Sequence, residues 1–167
     1  PNIAAVTVSV LPSPTVNVAA SPTAICFGGS TTLTATGANT YTWLPSASNN
    51  SAIVETPTVN ATYTVIGDNA GCSQTQTIAI TVNALPTITA VSNPTVVCAG
   101  SGITLTANGG ISYTWAPIGS TLNPATDNPT ISTTYTVDGL DANGCSGQGT
   151  VNILVNALPT LTLAATP

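Results

Sequence analysis

Four cysteines and five carboxylates are the side chains of this 167-residue chain best suited to chemistry. The chain has no lysine, arginine or histidine, and its net charge is −5. Without histidine there is no Ser-His-Asp or Cys-His pair and no imidazole metal ligand, and without lysine there is no Schiff base or P-loop. Because a surface without cations cannot neutralise phosphates, the sequence also excludes nucleic acids and anionic membrane surfaces as partners.

The carboxylates show no catalytic pairing. A glycosidase pair or an aspartic dyad needs two acids that converge in one cleft, and neither Glu55 nor Asp68 has an acidic neighbour within ten residues. Segment 138–144 brings two aspartates together, but calcium needs about six to eight oxygen ligands. We therefore predict no catalytic residue, no metal site and no cofactor. Structural positions are expected for all the acids: Glu55, Asp68, Asp127, Asp138 and Asp141.

The chain repeats itself with a period of 72 residues. Tyr41-Thr42-Trp43 returns as Tyr113-Thr114-Trp115, and Gly71-Cys72-Ser73 returns one position later than the period, as Gly144-Cys145-Ser146. Self-similarity at a fixed period indicates tandem structural units. We expect two complete repeats, 11–84 and 85–157, flanked by the last strand of a preceding repeat, 1–10, and the first strand of a following one, 158–167.

The hydrophobic pattern predicts an all-β protein. Apolar residues alternate with Thr, Ser and Asn, which is the period of a strand, and no run of about 18 apolar residues could span a membrane. Strands of the first repeat are predicted near 15–19, 30–36, 39–44, 52–55, 61–66 and 74–82, at the spacing of a β-sandwich, with hairpin turns at 68–71 and 141–144. The expected core residues are Leu33, Ala35, Tyr41, Trp43, Tyr63, Val65, Ile78, Ile80 and Val82, and in the second repeat Leu105, Ala107, Tyr113, Trp115, Tyr135, Val137, Val151, Ile153 and Val155.

The even number of cysteines indicates disulfides and an oxidising compartment. A four-cysteine metal site would need close spacings such as C-x-x-C, and the chain has none. Repeat symmetry favours one bridge inside each repeat, Cys26 with Cys72 and Cys98 with Cys145. On the chain-entropy model, closing such a loop stabilises a small domain by roughly 4 kcal/mol.

The end segments and the strand edges indicate association. Strands that carry no lysine lack a common protection against edge-to-edge pairing, and an isolated strand needs a sheet to complete its hydrogen bonds. We therefore expect segment 1–10 either to pair with a neighbouring copy or to belong to an adjacent repeat of a longer polypeptide. The residues expected to form such an inter-subunit strand are Ile3, Ala4, Val6, Val8 and Val10.

Two further groups could mark binding or modification. The Tyr–Trp pairs of the two repeats could stack on sugars, although identical placement in both copies favours a buried core. Asn49 and Asn60 satisfy the N-glycosylation sequon. Glycans would give solubility to a chain with so few charges, so both are candidate glycosylation sites.

The repeat resembles a known type of extracellular module. Cys-x-Gly-x-Ser-x-Thr-Leu-Thr-Ala, Tyr-Thr-Trp-x-Pro, Thr-Tyr-Thr-Val, Asn-Gly-Cys-Ser and Asn-Ala-Leu-Pro-Thr together are similar to the Ig-like, PKD-related tandem repeats of secreted surface and adhesin proteins of Bacteroidota. The resemblance covers nearly the whole chain, although the Trp-Asp-Phe-Gly-Asp-Gly stretch typical of PKD domains is absent. It implies tandem Ig-like antiparallel β-sandwiches at the cell surface, which serve as spacers.

These observations lead to one functional prediction and one alternative. We expect a non-catalytic, extracellular structural glycoprotein that forms a fibre or stalk and self-associates into a filament by sharing strands between neighbouring copies. The alternative is a carbohydrate- or surface-binding adhesin module, or a passive spacer in a much longer adhesin. An exposed cluster of aromatic side chains would favour the adhesin.

Overall fold

The structure, a computed structural model, describes residues 12–161 and divides the chain into two units, Pro1–Asn83 and Ala84–Pro167. Every regular element among the described residues is a β-strand, and none of these residues belongs to a helix able to cross a membrane. The strands of the first unit are β1 (Asn17–Ser21), β2 (Ala24–Cys26), β3 (Thr31–Thr36), β4 (Thr40–Leu44), β5 (Ala52–Glu55), β6 (Ala61–Asn69) and β7 (Cys72–Asn83).

Two sheets form the first unit. One has the strand order β1-β3-β5 and the other the order β2-β7-β6-β4. All pairs are antiparallel except β2 with β7, which run parallel. Leu33 of β3, Trp43 of β4 and Tyr63 of β6 belong to one buried cluster, so the two sheets face each other across a common core. This is the architecture of an Ig-like sandwich.

The second unit repeats this arrangement. Its strands are β8 (Thr89–Asn93), β9 (Val96–Cys98), β10 (Ile103–Asn108), β11 (Ser112–Ala116), β12 (Ala125–Asp127), β13 (Thr133–Leu140) and β14 (Ser146–Asn156). The sheets have the orders β12-β10-β8 and β11-β13-β14-β9, and β9 is parallel to β14. The predicted all-β fold of Ig-like sandwiches is confirmed.

The strand prediction for the first repeat missed one element, β2, whose counterpart in the second repeat is β9. β2 and β9 contain three residues each and follow a proline turn, so they are too short to show a period of two. Each nevertheless places one side chain, Ile25 or Val97, in the core. These short strands matter because they form the parallel pairs with β7 and β14.

The structure confirms the predicted core residues at the centre of each sandwich, and it differs from the prediction at the edges of the core. Leu33, Trp43, Val65 and their counterparts are fully buried. Other predicted positions are half-buried against the core: Tyr41, Ile78, Val82, Tyr113, Val151 and Val155. The alternation did not identify several buried residues near strand ends or in short strands: Val16, Ile25, Ile53, Ile88, Val97, Ile103 and Ala125.

The chain enters and leaves each unit at opposite ends. The Val16 N–H donates to Oε1 of Gln74, which lies beside the β6–β7 hairpin, at 2.7 Å. From that hairpin β7 runs the length of the unit to Asn83, where the chain leaves. In the second unit the Pro86 carbonyl lies against Gly147 at the start of β14, which ends at Asn156. We call these ends the N-terminal and C-terminal poles of each unit.

The predicted hairpin at 68–71 joins β6 to β7. Ala70 and Gly71 both have positive φ, 51° and 89°, as the tight turn of a twisted hairpin requires. The Gly71 N–H donates to Oδ1 of Asp68 at 2.9 Å, so the aspartate stabilises the turn by hydrogen bonding to the backbone.

We expect Gly109→Ala to destabilise the second unit much more than Gly119→Ala. Both glycines have positive φ, 98° and 65°, so both substitutions carry the left-handed penalty of about 1–2 kcal/mol. A Cβ at Gly109 would also overlap the Thr87 carbonyl, whereas a Cβ at Gly119 would meet open space. Urea unfolding of the two variants measures the difference, and equal losses would contradict the described contact.

Candidate functional sites

Two carboxylates occupy the same position in the two repeats and hydrogen bond to a tyrosine on the facing sheet. The Tyr63 hydroxyl of β6 donates to Oε2 of Glu55 at the end of β5, at 3.5 Å. The Tyr135 hydroxyl of β13 donates to Oδ2 of Asp127 at the end of β12. Each pair ties one sheet of its sandwich to the other, which is the structural position expected for these acids.

The other three carboxylates stabilise turns or strands. Asp68 accepts the turn amide described above, and Oδ1 of Asp141 accepts the N–H groups of Asn143 and Cys145, each at 2.8 Å. Oδ1 of Asp138 accepts Nε2–H of Gln148 at 2.9 Å across the β13–β14 pair. Within residues 12–161 no group of three or more Cys, Asp or Glu side chains is placed to hold a metal ion.

Burial and the neighbouring carboxylate keep both of these tyrosines protonated. Desolvation raises the pKa of Tyr63 above its ordinary value of 10.0, and the charge of Glu55 and its hydrogen bond add to this effect. The pKa of Tyr135 is raised further, first by burial, then by its hydrogen bond to Asp127 and by that carboxylate's charge. A hydroxyl so strongly held as a donor has a structural role.

The free energy of unfolding is therefore expected to fall above about pH 10. An unfolded tyrosine ionises near its ordinary pKa, whereas folded Tyr63 and Tyr135 keep their protons. The unfolded state then binds fewer protons than the native state, so stability is full below pH 10 and is lost as the pH rises.

The matched variants are Tyr63→Phe and Tyr135→Phe. At pH 7 the free energy of unfolding of each variant should be about 1 kcal/mol lower than that of the wild-type chain, because one hydrogen bond is lost. Above pH 10 it should fall less steeply with pH than that of the wild-type chain. Denaturant unfolding between pH 7 and 11 tests this. Parallel curves for variant and wild type would show that these hydroxyls do not couple folding to pH.

The tryptophans do not form a sugar-binding surface. Trp43 and Trp115 are both 0% exposed, and Nε1–H of Trp43 donates to the Asn50 carbonyl at 2.9 Å. Tyr41 is half-buried, and its hydroxyl donates to the Ala38 carbonyl in the adjacent turn. The buried-core interpretation is confirmed for the two tryptophans, while Tyr41 and Tyr113 are half-buried against the core. Among the described residues Phe27, 53% exposed, is the one large aromatic side chain open to solvent.

The two sequon asparagines are exposed, and both have structural contacts. Oδ1 of Asn49 accepts the Thr42 hydroxyl at 3.3 Å. Oδ1 of Asn60 accepts the Val82 N–H at 2.7 Å, and in the second repeat Oγ of Ser132 accepts the Val155 N–H at 3.0 Å. Asn60 and Ser132 occupy equivalent positions, and both accept a hydrogen bond from the last strand of their repeat. This contact accounts for the asparagine at position 60 without a glycan. Glycosylation at Asn49 and Asn60 stays a prediction.

The predicted disulfide pairing is wrong. Cys26 is paired in register with Asn83, at the opposite end of β7 from Cys72. Eleven strand residues span about 36 Å, whereas bonded cysteines have Cα atoms within about 7 Å. Cys145 and Cys98 lie at opposite ends of β14 in the same way. Cys26 and Cys145 are disulfide-bonded, and Cys98 carries an exposed free thiol.

The end segments fall largely outside the described residues. The predicted inter-subunit strand with Ile3, Ala4, Val6, Val8 and Val10 lies there entirely, as do residues 162–167. Residues 158–161, the described part of the predicted strand at 158–167, are not assigned to a strand.

Shallow grooves follow the edge strands β4 and β11. In the first unit the lining residues include Thr40, Thr42 and Asn50, and in the second Ser112, Thr114 and Asn123. Asp138 is the single ionisable carboxylate in the second groove. The hydroxyls and amides that line these grooves can both donate and accept hydrogen bonds.

No family model and no curated protein matches this sequence. One similar solved structure is murine CEACAM1b, with 11% sequence identity over 85% of this chain and 100% of that chain and a TM-score of 0.40. Another contains three N-terminal domains of the Highly Immunogenic Outer Capsid protein (Hoc) of bacteriophage RB49, with 16% identity over 86% of this chain and 59% of that chain and a TM-score of 0.44. A Ca²⁺-stabilised adhesin that helps an Antarctic bacterium bind ice is also similar, with 15% identity over 86% of this chain and 49% of that chain and a TM-score of 0.48. The assignment of an Ig-like fold rests on the strand order and register described above.

Proposed function

We propose that this chain is a non-catalytic structural segment of an extracellular fibre or stalk. The observation that carries the proposal is that the chain enters each unit at one pole and leaves at the other. Tension on the polypeptide is then transmitted along the length of each sandwich. A spacer needs this arrangement, whereas an enzyme or a compact binding domain does not.

The parallel pair in each unit supports a mechanical role. When the disulfide at Cys26 is reduced, tension pulls β2 towards the N-terminal pole and the end of β7 towards the C-terminal pole, so their hydrogen bonds are sheared together rather than opened one at a time. The bonds of this pair include the Phe27 N–H to the Asn83 carbonyl, 2.8 Å, and the Thr81 N–H to the Thr23 carbonyl, 3.0 Å. The Ala99 N–H and the Asn156 carbonyl form the counterpart in the second unit, at 2.9 Å.

We expect Phe27→Pro to lower the force at which the first unit unfolds. Proline has no N–H and removes one bond of the sheared pair, while Phe27→Ala keeps that bond and loses a side chain that is half exposed. Single-molecule stretching under reducing conditions measures both variants, with the second unit as an internal reference. Equal forces for the proline and alanine variants would contradict a shear-loaded pair.

Composition and resemblance support a location outside the cell. A chain with no lysine or arginine offers no cleavage site to trypsin-like proteases. The repeat is similar to the Ig-like repeats of secreted Bacteroidota surface proteins, and a disulfide fits an oxidising compartment. The proposal therefore includes secretion to the cell surface, glycans on exposed amide or hydroxyl groups, and repeats at 11–84 and 85–157. The sugar-binding alternative has no exposed aromatic cluster among residues 12–161 to support it.

We further propose that the fibre grows by strand sharing. A strand at the edge of a sheet can accept an additional strand. β5 is the edge strand of its sheet, and its Val54 side chain, which is uncharged, is 67% exposed. Segment 1–10 of a neighbouring copy has the alternating apolar pattern of a donor strand.

Electron microscopy of the chain with and without residues 1–10 tests this assembly. We expect regular filaments for the full chain and single particles for the shortened chain, because the shortened chain lacks the donor strand. A matched control replaces Thr7 and Ser9 by alanine, which keeps the apolar face of the segment. Filaments that persist after the deletion would contradict strand donation by residues 1–10, and single particles for the full chain would make it a passive spacer instead.

A further inference from the structure

The grooves along β4 and β11 share a backbone arrangement but differ in their side chains. At the start of β4 the Asn39 N–H donates to the Asp68 carbonyl at 3.2 Å. One repeat later the Ile111 N–H donates to the Leu140 carbonyl at 2.7 Å. Two polar side chains of the first unit are therefore replaced by aliphatic ones in the second. Ile111 is 73% exposed and Leu140 is 44% exposed, and both line the groove along β11.

Polar side chains form most of the remaining lining of the β11 groove. Ser112, Thr114 and Thr121 contribute hydroxyls, each of which can donate and accept hydrogen bonds. Asp138 supplies one carboxylate, whose Oδ1 accepts Nε2–H of Gln148 at 2.9 Å, and its Oδ2 can accept a second donor. The groove thus combines neutral donors and acceptors with a single negative charge.

A buried donor lies behind one wall of the groove. In the first unit Nε1–H of Trp43 donates to the carbonyl of Asn50, a residue that lines the groove along β4. Trp115 has the equivalent register position on β11 and is also 0% exposed, but among the described residues its Nε1–H has no hydrogen-bond partner. Because buried polar groups are nearly always paired, this indole N–H points to an acceptor that the protein itself does not supply.

The side chain of Asn123 explains why this wall differs between the units. In the first unit the Ser51 carbonyl accepts the Ala35 N–H at 2.8 Å. One repeat later Oδ1 of Asn123 accepts the Ala107 N–H at 2.8 Å, and its Nδ2–H donates to the Ala107 carbonyl at 2.9 Å. A side chain stands where the first unit has backbone, so the main chain of 121–123 is set back from β10. No carbonyl of this segment accepts the indole N–H.

We propose that the β11 groove of the second unit binds a neutral saccharide. Ring hydroxyls donate and accept hydrogen bonds, so they match the serine and threonine hydroxyls, and one of them donates to Oδ2 of Asp138 in a charge-assisted bond. The C–H groups of the ring pack on Ile111 and Leu140. A sugar oxygen that displaces part of the 121–123 wall accepts the indole N–H of Trp115. The apolar contacts are aliphatic, so this site needs no aromatic stacking surface.

Two features of the groove disfavour other ligands. An anionic sugar or a phosphate meets no cation, because the chain has none, and it is repelled by Asp138. A peptide strand would need the open edge of β11, but the backbone N–H of Trp115 donates to the Ser120 carbonyl at 2.8 Å, and this bridge occupies the edge. The proposal adds a ligand to the proposed stalk and does not depend on strand sharing.

Nuclear magnetic resonance of the ¹⁵N-labelled full chain tests the proposal, because its two tryptophans give separate indole N–H signals. The Trp43→Phe variant assigns the two signals. The probes are neutral tetrasaccharides of glucose, mannose, galactose or N-acetylglucosamine, and tetragalacturonate is the anionic control. We expect at least one neutral probe to shift the Trp115 signal saturably. The Trp43 signal should not move, and tetragalacturonate should shift neither signal.

Matched variants identify the groove as the binding site. Asp138→Asn should weaken binding of the active probe about tenfold, because a charge-assisted hydrogen bond is lost. Ile111→Asn should weaken it severalfold through the loss of apolar contact. Ile131→Asn is the control, since Ile131 is also 73% exposed in the second unit and does not line the groove. Binding by the control should equal that of the wild-type chain.

Three results would overturn the proposal. One is that no neutral probe shifts the Trp115 signal, and another is that Ile111→Asn and Ile131→Asn weaken binding equally. The third is a shift of that signal by an uncharged Val-Thr-Val-Thr peptide with none from the sugars, which would assign the groove to a protein partner. Filament formation enters none of these measurements, so its failure would leave this result unchanged.

Discussion

The long last strand of each repeat, β7 or β14, is the constraint on which the rest of the unit depends. It runs from pole to pole, is central in its sheet, and pairs with an antiparallel neighbour on one side and a short parallel strand on the other. It separates the points where the chain enters and leaves the unit, and it places the cysteines of one repeat about 36 Å apart. In the proposed stalk it would also carry the load. The three-stranded sheet covers its apolar face and closes the core.

The periodicity of the sequence predicted most of the fold. Alternation around Leu33, Trp43 and Val65 located the central strands and the core, because a sandwich strand is buried on one face. It did not find β2, since three residues show no period. The cysteine pairing failed because repeat symmetry relates equivalent positions and says nothing of which pole a cysteine occupies. The eight-residue spacing of Glu55 to Tyr63, kept in Asp127 to Tyr135, was a signal for the inter-sheet hydrogen bond.

Neutral side chains replace charges throughout the described structure. The amide of Asn123 bonds both backbone groups of Ala107, at 2.8 and 2.9 Å, and the buried Thr31 hydroxyl donates to the Pro22 carbonyl at 2.6 Å. Gln74, Asn60 and Ser132 accept backbone N–H groups in the same way. With no cation to pair, the five carboxylates accept hydrogen bonds from neutral donors. Interactions of this kind depend little on ionic strength, which is compatible with the proposed location outside the cell.

The two poles of a repeat are chemically different, and this gives any assembly of such repeats a direction. One pole presents a hairpin turn and the other the end of a parallel strand pair, so a contact between opposite poles of neighbouring copies in the proposed fibre would be heterologous. A contact of this kind has no two-fold axis and does not close a dimer; unless a rotation closes a ring, it extends without limit. A fibre built this way has two distinct tips, so anchoring and growth would take place at different ends.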